Sequence, residues 1–538
     1  MKSDCLKFSA IPHTTELFSD YLYHFDKVRR FYPHPPFSRD WLAKEAASLR
    51  YDSERRARVA DILERQNRAW NPSPATVENI ARFRAGADAV VTGQQVALFG
   101  GPMFSVYKAL TAIKLATEAT HAGTDCVPIF WLATEDHDFE EVNNVTLLGA
   151  ESSLQRFEIA TSAAKGSPMS EVRLGADAET RAQEATAFLG EGEVTDILRE
   201  SYRAGESIGS AFAKLFSRLF SHSGVILIDA ADPELHKVAE PVYRAAAVGA
   251  ASLDERLLER GKELEAAGYH AQVKVTPSST LLFTMHEGVR VPIHRANGGF
   301  SIGEDHVSEA DLLARIKAEP QHFSANVLLR PVVEDFVLPT LAYVGGPAEV
   351  AYFAQAAVVY EELVGRITPI LPRLSATLVE HRVERLLEKY GLTVQDTFHG
   401  EEALRLKMAE NTLPGELNAS FESAAASLDR SVQEIAAALG RLDPTLVDAA
   451  ERAGSKMKYQ LENLRERAAR AQSRRTEIHA THAAAISNSL FPGKEPQERE
   501  IGGISFLARY GTQLLLTLYD AAQTVCPDHQ VVHLDPRT

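Results

Sequence analysis

Cysteine is scarce in this chain: there are three in 538 residues, Cys5, Cys126 and Cys526. Their spacing makes neither a CxxC metal pattern nor a disulfide framework, and such usage fits a reducing compartment. Basic charge is short too. With 57 Lys and Arg against 73 Asp and Glu, the formal net charge is −16. That argues against a general nucleic-acid binder, which needs a basic face to neutralise phosphates, although a local basic pocket for a small anion stays open. No apolar run approaches the ~18 residues of a membrane helix, and Met1-Lys2-Ser3-Asp4 leads into no apolar signal core. The expectation is a cytoplasmic protein that engages neither nucleic acid nor membrane. Also missing are a phosphate-loop lysine motif, a dinucleotide GxGxxG, HExxH and GxSxG, so several common chemistries lose their usual sequence marks.

What is present is the composition of a globular protein, 45% hydrophobic and 24% charged, with length for roughly three to four domains. The most informative stretch lies at 90–108. A short apolar run ends at Thr92-Gly93, a polar turn carries Gln94, Gln95, Gly100 and Gly101, and Pro102 opens a segment of helical spacing. Proline suits a first helical turn, where its missing N–H has no partner anyway. Strand, loop and helix in that order expose backbone N–H groups that can hold an anion. An ordinary tight turn with surface glutamines gives the same pattern.

Residues 1–87 read as mainly helical. A second strand at 126–133 follows one βαβ period later, which predicts parallel pairing. Residues 146–205 lose the βα rhythm and read as an insertion. A third buried strand lies at 224–229, and the short alternating strands at 270–275, 280–285 and 289–293, with Gly288 at a hairpin turn, mark a second insertion near 268–331. The sheet resumes at 340–344, where Gly345-Gly346-Pro347 repeats the signature of Gly100-Gly101-Pro102, and 367–371 is a plausible last strand. Two such turns would line one cleft. From 376 to 489 apolar residues recur at alternating threes and fours (Leu417, Phe421, Leu428, Val432, Ile435; then Met457, Leu461, Leu464), a heptad-like seam broken at Asp443-Pro444. This predicts a helical hairpin whose seam closes within one chain or against a second subunit; a homodimer is favoured. Residues 490–538 return to globular composition and rejoin a core spanning 1–375.

The candidate chemistry sits at strand ends, where open α/β sheets bind ligands. Glu135, Asp136, His137 and Asp138 close an otherwise apolar strand. A histidine beside carboxylates suits a general base, and the carboxylates alone suit a hard cation on a nucleotide phosphate. They equally suit an acidic helix start. Lys108, about two helical turns after Gly101, is either a ligand contact or a plain surface lysine. Tyr343, Gly345 and Glu349 belong to the cleft if the second Gly-Gly-Pro turn does. Arg330 and Arg373, each beside a proline, bind an anion or form surface salt bridges.

Thr92-Gly93-Gln94-Gln95 with Gly100-Gly101-Pro102 and Tyr107-Lys108, then Phe130-Trp131 with Glu135-Asp136-His137-Asp138-Phe139, resemble the bacillithiol-synthesis cysteine ligases, the BshC family. Gly268-Tyr269-His270-Ala271-Gln272-Val273 and the turn from Tyr343 to Glu349 extend the match along the whole chain. The resemblance implies an α/β fold: a Rossmann-like parallel core with two connecting insertions, akin to class I aminoacyl-tRNA synthetase catalytic domains, plus an antiparallel coiled-coil dimerisation domain. It implies joining the carboxyl of L-cysteine to the amine of glucosaminyl-malate as an amide. The HxGH signature of the synthetases is absent where Thr92, Gly93, Gln94 and Gln95 stand.

On that footing His137, oriented by Asp136 or Asp138, accepts the amine proton. Thr92, Gly93, Gln94, Gln95, Gly100, Gly101, Lys108, Glu135, Tyr343, Gly345 and Glu349 bind substrate. Carboxylate activation calls for a nucleotide, ATP or ADP with Mg, and no resident metal or organic cofactor is expected. Two rivals stay open: a metal-dependent hydrolase built on the cluster from Glu135 to Asp138, and a non-catalytic coiled-coil scaffold.

Overall fold

Five short apolar runs make the centre of the molecule. The computed structural model describes residues 3–296, 298–474 and 477–535. Strands β1 (Asp88–Gln94), β2 (Cys126–Leu132), β3 (Ile226–Asp229), β4 (Thr340–Gly345) and β5 (Ile370–Pro372) pair in parallel in the order β5-β4-β1-β2-β3. This is the Rossmann-like order, and its direction of winding reverses between β1 and β4. All of β2 is buried, as a parallel sheet covered on both faces requires. Successive residues divide between the two faces: Ile129 and Trp131 join one core, Phe130 and Leu132 the other. Pro128 is tolerated inside β2 because pairing with β3 starts only at Ile129, so the missing N–H falls where the strand is still an edge.

Helix α1 (Met103–His121) joins β1 to β2, and helix α2 (Pro347–Leu363) joins β4 to β5. The longer connections carry the additions. Between β2 and β3 lie an antiparallel hairpin, Asn144–Leu148 with Leu154–Glu158, and helices Ala176–Leu189, Glu193–Ser201 and Ile208–Leu219. Between β3 and β4 the chain builds a five-stranded antiparallel sheet that includes Ser279–His286, Val289–Ala296 and Phe323–Ala325. Glu287 and Gly288 both take positive φ at its tight turn, the geometry of a two-residue hairpin loop. The expected strand at 270–275 does not form; that stretch is irregular, and Val273 pairs its backbone with the Gln355 side chain instead.

The sequence pattern puts helix immediately after 375, but Ala376–Glu380 is a strand. It runs parallel to His529–Leu534, whose other edge takes Ser3–Leu6 antiparallel. Both chain ends therefore meet in one small sheet. A buried cluster fastens it to the main sheet: Arg373 makes two hydrogen bonds to Glu498, at 2.8 and 3.0 Å, and Glu498 also accepts from Ser375 Oγ and Ala376 N–H. Arg373 is thus a buried structural residue rather than a surface one. Beyond it, α3 (Gly415–Leu442) and α4 (Val447–Arg474) form the helical hairpin, turning at Pro444–Leu446. The helices close on each other where Gly454 meets Val432; a Cβ there would fall 2.7 Å from Val432 Cγ1. Ile435, Met457 and Leu464 of the seam remain exposed.

Removing one partner of a buried ion pair strands the other charge, at about 3–5 kcal/mol. Glu498→Ala should lose stability on that scale by denaturant titration, whereas Glu402→Ala, whose side chain is exposed, should change it little.

Candidate active site

The carboxyl ends of β1, β2 and β4 open into a cavity of about 430 Å³, lined among others by Gly93, Gln94, Gln95, Trp131, Glu135, Asp136, Tyr343 and Glu349. The far wall comes from the connection between β3 and β4: Phe283, Arg290, Ala325 and Asn326 of the second insertion, and Arg330 and Glu334 on the helix Arg330–Val337. The cavity sits at the point where the sheet's winding reverses, between β1 and β4.

Lys108 braces that point. It projects from α1 and is buried, its side chain 4% exposed. Its ammonium donates to Gly93 O at 2.8 Å, Gln94 Oε1 at 2.8 Å and Glu349 Oε1 at 2.5 Å. Burial pulls its pKa down while Glu349 pulls it back up. The other Glu349 oxygen accepts the Gly346 N–H and so caps α2. Lys108 is neither a surface lysine nor free to grip a ligand. Gly93 is needed for close approach, since a Cβ there would stand 3.1 Å from the Trp131 carbonyl.

The acidic cluster splits apart. Gln95 Nε2 donates to Asp136 Oδ2 at 2.7 Å, and Asp136 Oδ1 accepts the His137 N–H at 2.8 Å. Burial pushes Asp136 up, but these hydrogen bonds and the Arg290 and Arg330 charges outweigh it and hold its carboxyl below the usual range. Glu135 turns the other way, towards buried His236, with Oε1 3.5 Å from Nε2. Burial pushes Glu135 up to about 7 and His236 down to about 4. At neutral pH the two therefore meet with His236 neutral, not as an ion pair. Tyr243 Oη holds the remaining nitrogen, His236 Nδ1, at 3.1 Å.

His137 is oriented by neither neighbouring carboxylate. Arg290 Nη1 donates to its Nδ1 at 3.1 Å; a guanidinium has only donors, so that nitrogen is the acceptor and the proton sits on Nε2. Asp136 Oδ1 is 3.8 Å from the same nitrogen, and Asp138 is exposed. Arg290 is itself fixed by Ser324 Oγ at 2.8 Å, Ala325 O at 2.7 Å and the Phe283 ring, whose centroid is 4.0 Å away. Arg330 pairs with Glu334 at 3.6 Å, and burial pushes Glu334 up to about 8. The cavity thus holds two arginines facing carboxyl groups that burial poises near neutrality.

Several expected contacts lie elsewhere. Thr92 is buried, its hydroxyl bonded to Val344 O at 2.8 Å between β1 and β4. Gly345 closes the sheet, its carbonyl accepting from Arg373 N–H at 2.9 Å. Gly100 and Gly101 do not reach the cavity. The N-terminus of α1 that they precede is no anion cradle, because the C-terminal segment covers it: Met103 N–H donates to Ile501 O at 2.9 Å, and Gly503 N–H to Gly101 O at 3.2 Å. Of the second Gly-Gly-Pro turn, the flanking residues Tyr343 and Glu349 line the cavity, and the glycines themselves do not. Among the described residues no group of three or more His, Cys, Asp or Glu is placed to hold a metal ion.

Arg290, Glu334 and His236 are the residues that sequence pattern alone does not bring here. Glu334 did leave a trace, as an acid inside the apolar run 331–338. Arg290 left little, a single charge in an alternating strand. A second cavity of about 730 Å³, bordered by Ser167, Ser170, Glu171, His236 and His322, shares Glu135 and Arg290 with the first.

With this geometry in place, comparison with known proteins fixes the lineage. Residues 1–374 match the model described as "Bacillithiol biosynthesis BshC, N-terminal Rossmann-like domain", and residues 376–534 match "Bacillithiol biosynthesis BshC, C-terminal coiled-coil domain". The chain belongs to the BshC family. Among its BshC relatives, a protein of Koribacter versatilis is 51% identical across 99% of this chain and 100% of its own length. One of Solibacter usitatus is 38% identical over the same shares, and one of Salinibacter ruber is 33% identical over 96% of each chain. All three carry the name "Putative cysteine ligase BshC". No helix of this BshC chain, among the described residues, is long and apolar enough to cross a membrane.

The raised Glu135 pKa carries a stability signature. A carboxyl whose folded pKa lies above its unfolded value of about 4.5 costs nothing below that value, and its penalty grows as pH rises through about 7. Glu135→Gln should therefore be more stable than wild type at pH 8, by on the order of 3 kcal/mol at most, with the gap closing towards pH 4 in a pH series of denaturant titrations.

Proposed function

We propose that this chain is a cysteine ligase that joins the carboxyl of L-cysteine to the amine of glucosaminyl-malate in an amide bond, in the cavity at the β1–β4 switch point. One observation carries the reading. Two half-buried arginines, Arg290 and Arg330, share one cavity with Glu135 and Glu334, whose carboxyl groups burial pushes up to about 7 and about 8. Both substrates bring carboxylates, which arginines hold well. One brings an amine that must lose a proton as it attacks, and a carboxyl poised near neutral pH suits that transfer.

The roles follow from position. Arg330 and Arg290 hold substrate carboxylates. Glu135 accepts the amine proton as nitrogen bonds to the carbonyl carbon, while the activated oxygen departs with its electron pair. Neutral His236 lies 3.5 Å behind Glu135 and positions its carboxyl. His137 and Asp136 act through others: His137 fixes Arg290, and Asp136 fixes Gln95, which with Gln94 offers amide groups to the substrate.

A carboxylate resists an amine until one oxygen becomes a leaving group, and ATP or ADP with Mg is the proposed source of activation. The second cavity has the size of a ligand site, and Ser167, Ser170, His322 and Arg290 could hold phosphates there. Bound at that place, a nucleotide would supply the phosphoryl or adenylyl group. Mg would depend chiefly on phosphate oxygens, since Mg commonly takes only one or two protein carboxylates. The exposed seam of Ile435, Met457 and Leu464 fits a second copy of this chain, in the cytoplasm.

Purified protein with L-cysteine, glucosaminyl-malate and ATP should yield the cysteinyl product by mass spectrometry. Glu135→Gln should lower kcat about a hundredfold with KM nearly unchanged, whereas Arg330→Met should chiefly raise KM. Absence of product from the wild-type protein with every nucleotide would overturn the ligase reading, and wild-type turnover by Glu135→Gln would remove Glu135 from its role.

A further inference from the structure

The ligation as proposed leaves Glu334 without a part, although Glu334 lines the same cavity as Arg330 and Glu135. It lies on the helix Arg330–Val337, four residues after Arg330, so the two side chains share a face. Glu334 is buried, its side chain 3% exposed, and its Oε1 stands 3.6 Å from Arg330 Nε. The other carboxyl oxygen, Oε2, is buried and meets no hydrogen-bond partner among the described residues. Trp131, also in the cavity wall, has a buried indole N–H in the same condition. Buried polar atoms without partners are costly, and in a cavity wall they mark where a ligand completes the bonding. One of these atoms calls for a donor and the other for an acceptor.

We propose that Glu334 is the receptor for the α-ammonium group of the amino-acid substrate, with Arg330 beside it holding the α-carboxylate. The inference rests on the ligase function proposed above and adds the residue that tells an amino acid from a simple carboxylic acid. An α-amino acid carries its cation and its anion on one carbon, so its receptor needs an anion and a cation side by side. Residues i and i+4 of one helix supply that spacing. In glucosaminyl-malate the amine is on the sugar and the carboxylates are on the malate, farther apart than two neighbouring side chains require.

The charges around Glu334 fit such a ligand. Arg330 stands on its own helix, Lys108 and Glu349 face it from α1 and α2, and Glu135 faces it from beyond the end of β2. Tyr343 and Tyr352 face it too and stay neutral, since burial raises both hydroxyls. Lys108 is already committed to Gly93, Gln94 and Glu349. Burial, reinforced by Glu349 and Glu135, outweighs Arg330 and Lys108 and pushes the Glu334 carboxyl up to about 8. At neutral pH it is mostly protonated, and an arriving ammonium displaces that proton to solvent. Amino-acid affinity therefore rises with pH up to about 8. Holding the α-amine as an ammonium also keeps it from acting as a nucleophile, so the amine of the acceptor is the one that attacks.

The test is isothermal titration calorimetry of the full chain with L-cysteine and with 3-mercaptopropionate, the same molecule without its ammonium group. It runs from about pH 6 to about pH 7.5, below the free-thiol pKa of about 8.5. Wild type should bind L-cysteine about tenfold or more tighter than the analogue. Its affinity for L-cysteine should rise about tenfold or more over that range, with about one proton released per ligand in buffers of differing ionisation enthalpy. Glu334→Gln should lose both the preference and the pH slope while binding 3-mercaptopropionate as wild type does. Equal L-cysteine affinity and slope in wild type and Glu334→Gln would overturn the role of Glu334 and leave the ligase function standing. So would a wild-type protein that binds both ligands alike, or a Glu334→Gln variant that loses glucosaminyl-malate binding but keeps that of L-cysteine. Absence of L-cysteine binding to wild type, alone and with ATP, would overturn both.

Discussion

A single buried ammonium ties the two halves of the sheet together. Lys108 comes from the helix after β1 and reaches the carbonyl and side chain at the end of β1, as well as a carboxylate on the helix after β4. Its three N–H groups meet three oxygens, so the cost of taking a charge out of water is offset by full hydrogen bonding. Glu349, the anionic partner, uses its second oxygen to cap α2. One ion pair thereby sets the spacing of the two βα units at the place where an α/β sheet parts to admit a ligand. Gln94 and Tyr343, on opposite walls, inherit their positions from it.

The other half of the site is borrowed. Arg290 lies on a strand of the second insertion and Arg330 opens the helix Arg330–Val337; neither belongs to the sheet. They stand opposite Glu135 and Asp136, at the end of β2. Low solvent access strengthens each charge interaction and raises each desolvation penalty, which is why Asp136, well hydrogen-bonded, is held ionised while Glu135, with fewer donors, titrates near neutrality. Two adjacent carboxylates acquire different roles from their surroundings alone.

Much of this frame was legible in the sequence, and the reasons are local. Parallel strands buried on both faces read as continuous apolar runs, so β1, β2, β3 and β4 stood out, and the acidic end of β2 with them. The heptad seam likewise marked the hairpin of α3 and α4. What escaped depends on contacts distant along the chain. Gly100, Gly101 and Pro102 have the local form of an anion loop, but residues 501–503 cover that helix end. Ala376–Glu380 becomes a strand only because His529–Leu534 returns to pair with it. Helical spacing from Gly101 does not reveal that Lys108 faces the sheet, and an isolated Arg290 does not reveal that it crosses to His137. His137, conspicuous between two acids, turns out to serve an arginine.

The central claim is that one braced cavity at the switch point receives the substrates. Hydrogen–deuterium exchange of the full chain, with and without L-cysteine and glucosaminyl-malate, tests it most directly. Joint protection is expected of the backbone at Gln94 and Gln95, at Glu135 and Asp136, and across 326–330, three segments distant in sequence that meet at this cavity. Unchanged exchange in all three, with protection confined to another part of the chain, would contradict it.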